Sequence, residues 1–181
     1  MGWSLFILLV GRLGALELTA SNIAFNINTF AFLPMLGMGI AVSTLVGQHL
    51  GRDDPETAEK CTWSACKISF GYMLLMAAGY VGVPELFLAP FTYGADPESF
   101  ENVWHMSTVL LRFVAVYCVS DTIFIIFAAA VKGAGDTRYV MVVSVSLSWV
   151  VMVLPTYLTL EYMDVGIYTP WIFLTLYICA G

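Results

Sequence analysis

Residues 103–138 read VWHMSTVLLRFVAVYCVSDTIFIIFAAAVKGAGDTR, and the class of fold turns on this stretch. Its first 29 residues (103–131) form one long apolar run, and Asp121 stands inside it. The run ends in a Gly-rich turn with Lys132, Asp136 and Arg138. About 20 apolar residues cross the hydrocarbon core of a bilayer as a helix. A carboxylate near the middle of such a helix costs about 2.5–3.5 kcal/mol by insertion scales, so it marks a cavity, an ion or a proton path.

The rest of the chain sets the surroundings of that helix. Of its 181 residues 60% are hydrophobic and 11% charged, with mean hydropathy +0.85. Soluble domains carry about 25% charged residues. The composition therefore predicts an all-α integral membrane protein, a polytopic bundle of transmembrane helices. Runs near 20 residues fit helices rather than the ten-residue alternation of barrel strands. The net charge of −6 comes with no basic patch, which argues against nucleic acid as a partner. Cys61, Cys66, Cys118 and Cys179 lie in or beside apolar runs without C-x-x-C spacing, and read as small hydrophobes. No H-E-x-x-H, G-x-S-x-G or paired carboxylates point to an enzyme, and no cofactor is implied.

The runs place spans at 18–47, 60–83, 103–131 and 139–160, with partial spans at 1–10 and 168–181. The two partial runs read as a chain cut at both ends, and the whole as a single helical bundle over 1–181. Asn22, Asn26 and Thr29 fall at i, i+4 and i+7, one helix face, which reads either as helix-to-helix glue or as a wet cavity. Pro34 is expected to kink that helix, with Gly37 and Gly39 marking close packing or flexibility. Asp53-Asp54-Pro55-Glu56 signals a helix start. Residues 84–102, with Phe87, Phe91 and Tyr93, read as an interfacial bend. Lys67 is expected to snorkel and remains a candidate partner for Asp121. Arg112, nine residues before Asp121 on the same helix, is about 13 Å away along the axis, too far for a contact. The loops near 48–61 and 132–138 carry Arg52, Lys60, Lys132 and Arg138, which by the positive-inside rule puts both in the cytoplasm.

These motifs together resemble the multidrug and toxic compound extrusion (MATE) transporters. GMGIAVSTLVGQHLGR, with Pro34 upstream, is similar to the second helix of a lobe, whose Gly-Gln-x-x-Gly loop is matched by Gly47, Gln48 and Gly51. VSDTIFIIFAAAVKGAGDTR is similar to the fourth helix and its loop, matched by Gly133, Gly135, Asp136 and Thr137. An Asp at the position of Asp121 favours the C-terminal lobe; the acid of that lobe's first helix would fall before Met1.

The resemblance implies one lobe of a two-lobe secondary transporter in the plasma (inner) membrane, facing a missing N-terminal lobe and surrounded by membrane lipid. It implies sodium- or proton-driven antiport of small organic cations and aromatic drugs. Asp121 would be the coupling site, a possible Na⁺ ligand, with Asn26, Asn22 and Tyr117 as helpers. Pro34, Gly37, Gly39 and the residues of the two Gly-containing loops would allow the helices to rock. A lipid-linked oligosaccharide flippase of the same superfamily and a half-transporter subunit are the alternatives.

Overall fold

A computed structural model describes residues 2–91, 97–162 and 166–180. Eight α-helices follow one another: α1 (Gly2–Gly11), α2 (Ala15–Leu50), α3 (Pro55–Gly82), α4 (Pro84–Leu88), α5 (Pro97–Gly133), α6 (Thr137–Leu147), α7 (Leu154–Tyr162) and α8 (Tyr168–Ala180). A 3₁₀ turn, Ala89–Phe91, follows α4, and a π-helical turn, Ser148–Val153, joins α6 to α7. No strand occurs among the described residues. Four segments are long and apolar enough to span a membrane: Ala15–Leu50, Pro55–Gly82, Glu101–Gly133 and Thr137–Thr159. The helices extend several residues past the expected spans of 18–47 and 103–131, because Glu17, Gln48, Glu101 and Lys132 are polar residues that continue an apolar helix into water.

α5 is the axis of the bundle: it packs on α2, α3, α6 and α8. Its Leu110, Leu111, Val114 and Cys118 are buried among Ile27 and Ala31 of α2 and Met73 and Tyr80 of α3. At the far end Ile126 and Ala129 join Val42, Val46, Ala58 and Ala65 in a second cluster. Trp171 of α8 is fully buried, stacks on Phe25 of α2 with centroids 4.8 Å apart, and donates from Nε1 to Ser21 Oγ at 3.2 Å. Phe6 of α1 meets the same Phe25 ring edge-on. Large apolar side chains such as Phe30, Ile40, Leu75 and Val150 point outward, as a bundle solvated by hydrocarbon requires.

Two helix connections share one construction. At the end of α5, Gly135 N–H donates to the Lys132 carbonyl at 3.0 Å and Asp136 N–H to the Val131 carbonyl at 3.2 Å. Gly135 has φ +95°, so the pair is a Schellman ending. Asp136 also caps α6, accepting from Tyr139 N–H at 3.0 Å. At the end of α2, Asp53 N–H donates to Leu50 and Asp54 N–H to His49, at 3.1 and 3.0 Å. Here the left-handed residue is Asp53, φ +58°, and Asp54 caps α3 by accepting from Thr57 N–H at 3.2 Å, with Pro55 at the first helical position. In each case one aspartate closes one helix with its backbone N–H and opens the next with its carboxylate, so the chain reverses within a few residues.

α2, α3 and α5 cross in turn, so α2 and α5 run parallel, and their C-terminal ends meet. A Cβ on Gly133 would strike the backbone of Ser43, reaching its carbonyl oxygen and lying 3.0 Å from its Cα. A Cβ on Gly47 would stand 3.2 Å from the Gly133 carbonyl oxygen. The two backbones touch here because neither helix carries a side chain between them.

α2 continues unbroken through Pro34, whose missing N–H leaves the Phe30 carbonyl without its helical donor. Pro155 sits two residues past the end of the π turn, which re-registers the backbone just before the proline. The bend expected around Phe87 and Phe91 is α4 with its 3₁₀ turn; Tyr93 lies outside the described residues, as do Met1, Gly181 and part of the loop before α8.

Candidate functional site

Asp121 sits midway along the apolar part of α5, one turn after Tyr117 on the same face. It is half-buried. Together with Phe25, Asn28, Thr29 and Phe32 of α2 and Ile178 of α8, these two residues line a cavity of about 250 Å³. The Phe25–Trp171 stack fixes the rotation of α2 at this level and so turns Asn28 toward α5. Asn28 Nδ2 donates to the Tyr117 hydroxyl at 3.3 Å, and Asn28 Oδ1 is buried with no partner. Thr29 Oγ1 donates to the Phe25 carbonyl at 2.8 Å, leaving its lone pairs toward the cavity.

The asparagines named from the sequence are placed elsewhere. Asn22 and Asn26 are exposed on the outer face of α2 and do not line this cavity. Successive residues turn about 100° around a helix, so Asn28 lies about 200° from Asn26. Asn28 is the residue that sequence reasoning missed. Its signal was weak: three asparagines occur within seven residues of a helix that is apolar on all sides, so periodicity supplies no phase.

Neither of the two ion pairs among the described residues involves Asp121. Lys67 and Arg112 are exposed, and no ion pair joins either of them to the carboxylate. No group of three or more His, Cys, Asp or Glu that could hold a metal occurs among the described residues. What the cavity offers is a carboxylate, an amide oxygen and two hydroxyls, hard oxygen donors of the kind that suit a hard monovalent cation.

The residues named for movement divide into two groups. Gly39, Gly47 and Gly133 are contact points: a Cβ on Gly39 would meet Ile125 at 3.5 Å and Ala129 at 3.7 Å, and the other two form the backbone crossing. Gly37 faces open space and Pro34 is exposed. Gln48 is exposed in the last turn of α2, and Gly51 closes that turn by donating to the Gly47 carbonyl at 3.0 Å. Gly135, Asp136 and Thr137 form the Schellman ending and the start of α6.

Comparison with known proteins agrees with this architecture. The family described as MatE matches residues 3–158. A probable multidrug resistance protein NorM of Brucella suis biovar 1 is 28% identical over 143 residues, 79% of this chain and 30% of that protein. The corresponding protein of Xanthomonas axonopodis pv. citri is 30% identical over 142 residues, 78% of this chain and again 30% of its own length. The chain thus spans about a third of the length of these curated relatives. Among solved structures, the outward-facing conformation of a multidrug resistance MATE family transporter of the MOP superfamily superposes with TM-score 0.87 at 20% identity, covering 99% of this chain and 39% of that one. A MOP superfamily transporter from Pyrococcus furiosus, described as having a binding pocket of reverse polarity, superposes equally well at the same identity. At that identity the likeness speaks for the fold.

Proposed function

The chain belongs to the MatE family, and on that premise we propose that it forms one lobe, the C-terminal one, of a cation-coupled antiporter that exports organic cationic or aromatic drugs. The observation that carries this reading is the Asp121 carboxylate in a membrane-spanning helix, lining a cavity with Asn28 and Tyr117 and held in no ion pair among the described residues. An uncompensated carboxylate at that depth is stabilised by taking up a cation or a proton. It can hold one or the other, and a ligand that binds two conformations unequally shifts the balance between them. Sodium or a proton is therefore the driving ion, and Asn28 Oδ1 and the Tyr117 hydroxyl are the further oxygen ligands for sodium. Asn22 and Asn26 are assigned to the surface of α2, where they face the second lobe or lipid. Placing the Arg52 and Arg138 loops in the cytoplasm of a cell whose plasma membrane holds the transporter follows from the positive-inside rule.

Ethidium efflux from cells expressing the transporter, with and without sodium at fixed pH, tests the proposal. Asp121→Asn is expected to abolish sodium-stimulated efflux while leaving the amount of protein in the membrane unchanged. Undiminished stimulation in that variant sinks the coupling role of Asp121. Efflux driven by the proton gradient alone in the wild type would assign coupling to protons.

A further inference from the structure

Below the Asp121 cavity the seam between α2 and α5 opens a second time. A groove of about 330 Å³ runs there between Gly39, Ile40 and Ser43 on α2 and Ile125, Ala128 and Lys132 on α5. It exists because its floor is made of a glycine and alanines, while the helices are held together beneath it by the backbone contact of Gly133 with Ser43. Along α2 it extends from Leu36 to Thr44, about 12 Å. Ile40 forms an exposed rim.

The groove is apolar along its length and cationic at one end. Lys132 is exposed in the last turn of α5 and takes part in neither ion pair among the described residues. Asp136, four residues further along the sequence, is committed to capping α6. The Ser43 side chain stands at the same end, as do Arg52 after α2 and Arg138 at the start of α6. A slot between transmembrane helices with an uncompensated lysine at the headgroup level is built for an amphiphile carrying a negative charge.

We propose that the α2–α5 groove is a binding site for one anionic phospholipid. The phosphate sits on Lys132 with a hydrogen bond from the Ser43 hydroxyl, and an acyl chain lies against Ile125 and Ile40. Zwitterionic lipid fits the same slot less well, because its own ammonium competes with Lys132 for the phosphate. The site does not depend on what the transporter exports.

Native mass spectrometry of the chain released from membranes of equal phosphatidylglycerol and phosphatidylcholine provides the test. One phosphatidylglycerol is expected to be retained about fivefold more often than one phosphatidylcholine, the effect of a single basic residue at the headgroup level. Lys132→Gln should bring the ratio to about one, and Ala128→Leu, which fills the floor, should lower retention of both lipids. Ile40→Ala removes the rim and should do the same in milder form, which keeps the test available if Ala128→Leu folds poorly. Lys60→Gln is the control, since Lys60 is already paired with Glu56 at 2.7 Å outside the groove. A preference that survives Lys132→Gln, or that falls equally in Lys60→Gln, overturns the proposal. So does displacement of the lipid by excess inorganic phosphate, which would mark a simple anion site, or retention that ignores both groove variants.

Discussion

Replacing Gly133 by alanine should destabilise the bundle even though alanine is the better helix former. The added Cβ would reach the Ser43 carbonyl oxygen and stand 3.0 Å from Ser43 Cα and 3.1 Å from its carbonyl carbon. All three atoms are backbone, so no rotamer change can relieve the clash, and α2 as a whole must move away. Overpacking of this kind costs about 1–3 kcal/mol, and rigid backbone neighbours place it toward the upper end. The gain from replacing glycine in a helix is at most about 1 kcal/mol, less at a last residue such as Gly133. The net loss is therefore about 2 kcal/mol. Gly37→Ala is the internal reference, because its Cβ meets nothing within 4 Å and keeps the propensity gain of about 0.5–1 kcal/mol. Reversible unfolding of both variants in mixed micelles measures the difference, expected at about 2.5–3 kcal/mol from the sum of those two effects. Equal stabilities for Gly133→Ala and Gly37→Ala would refute the backbone crossing.

Trp171→Phe removes the Nε1–H that Ser21 Oγ accepts at a fully buried position. It should cost about 2 kcal/mol in the same assay, and adding Ser21→Ala should recover part of that, since a buried hydroxyl is then no longer left unpaired; no recovery would discount the hydrogen bond. Asp53→Gly should stabilise by about 0.5–1 kcal/mol, because Asp53 holds the left-handed position that glycine occupies in the matching loop; a loss of stability would contradict the shared construction. Hydrogen bonds from the Thr57 side chain and N–H hold the Asp54 carboxyl below the usual carboxylate range, with a smaller effect from His49 nearby. A lowered folded value means that the cap's contribution is complete above the ordinary value near 3.9 and is lost as pH falls through the lower one. Amide-exchange protection at Thr57 should follow that course, and Asp54→Asn should remove the pH dependence; protection that persists unchanged into strong acid would refute it.

The spans were legible because a run of some 20 apolar residues has few other uses, and Asp121 was legible because a carboxylate inside one is costly. The helix start at Asp54 could also be read, since Asp-Asp-Pro-Glu is a local signal. Rotation was not legible. α2 is apolar all round, and which asparagine faces α5 depends on Trp171 stacking on Phe25, a contact between residues 146 positions apart. The glycines at 47 and 133 were visible as glycines, but only the fold shows that Gly133 makes room for the backbone of Ser43 and Gly47 for the carbonyl of Gly133. The π turn over Ser148–Val153, just before Pro155, was not legible either, because it packs on α1 and α8.

The meeting of Gly133 with Ser43 is a backbone contact near one end of the α2–α5 seam, and on the proposed reading it is the fulcrum of two arms. Asp121 lies 12 residues from Gly133, about 18 Å up the arm. Opening the arms by about 5° at that fulcrum would part the helices by roughly 1.5 Å at the level of Asp121 and Asn28, enough to break a hydrogen bond of 3.3 Å, while the ends near the fulcrum barely move. On the proposed reading, a rotation of that size makes or breaks the set of oxygens around the cavity, so an ion that binds there would favour one angle between the arms over another.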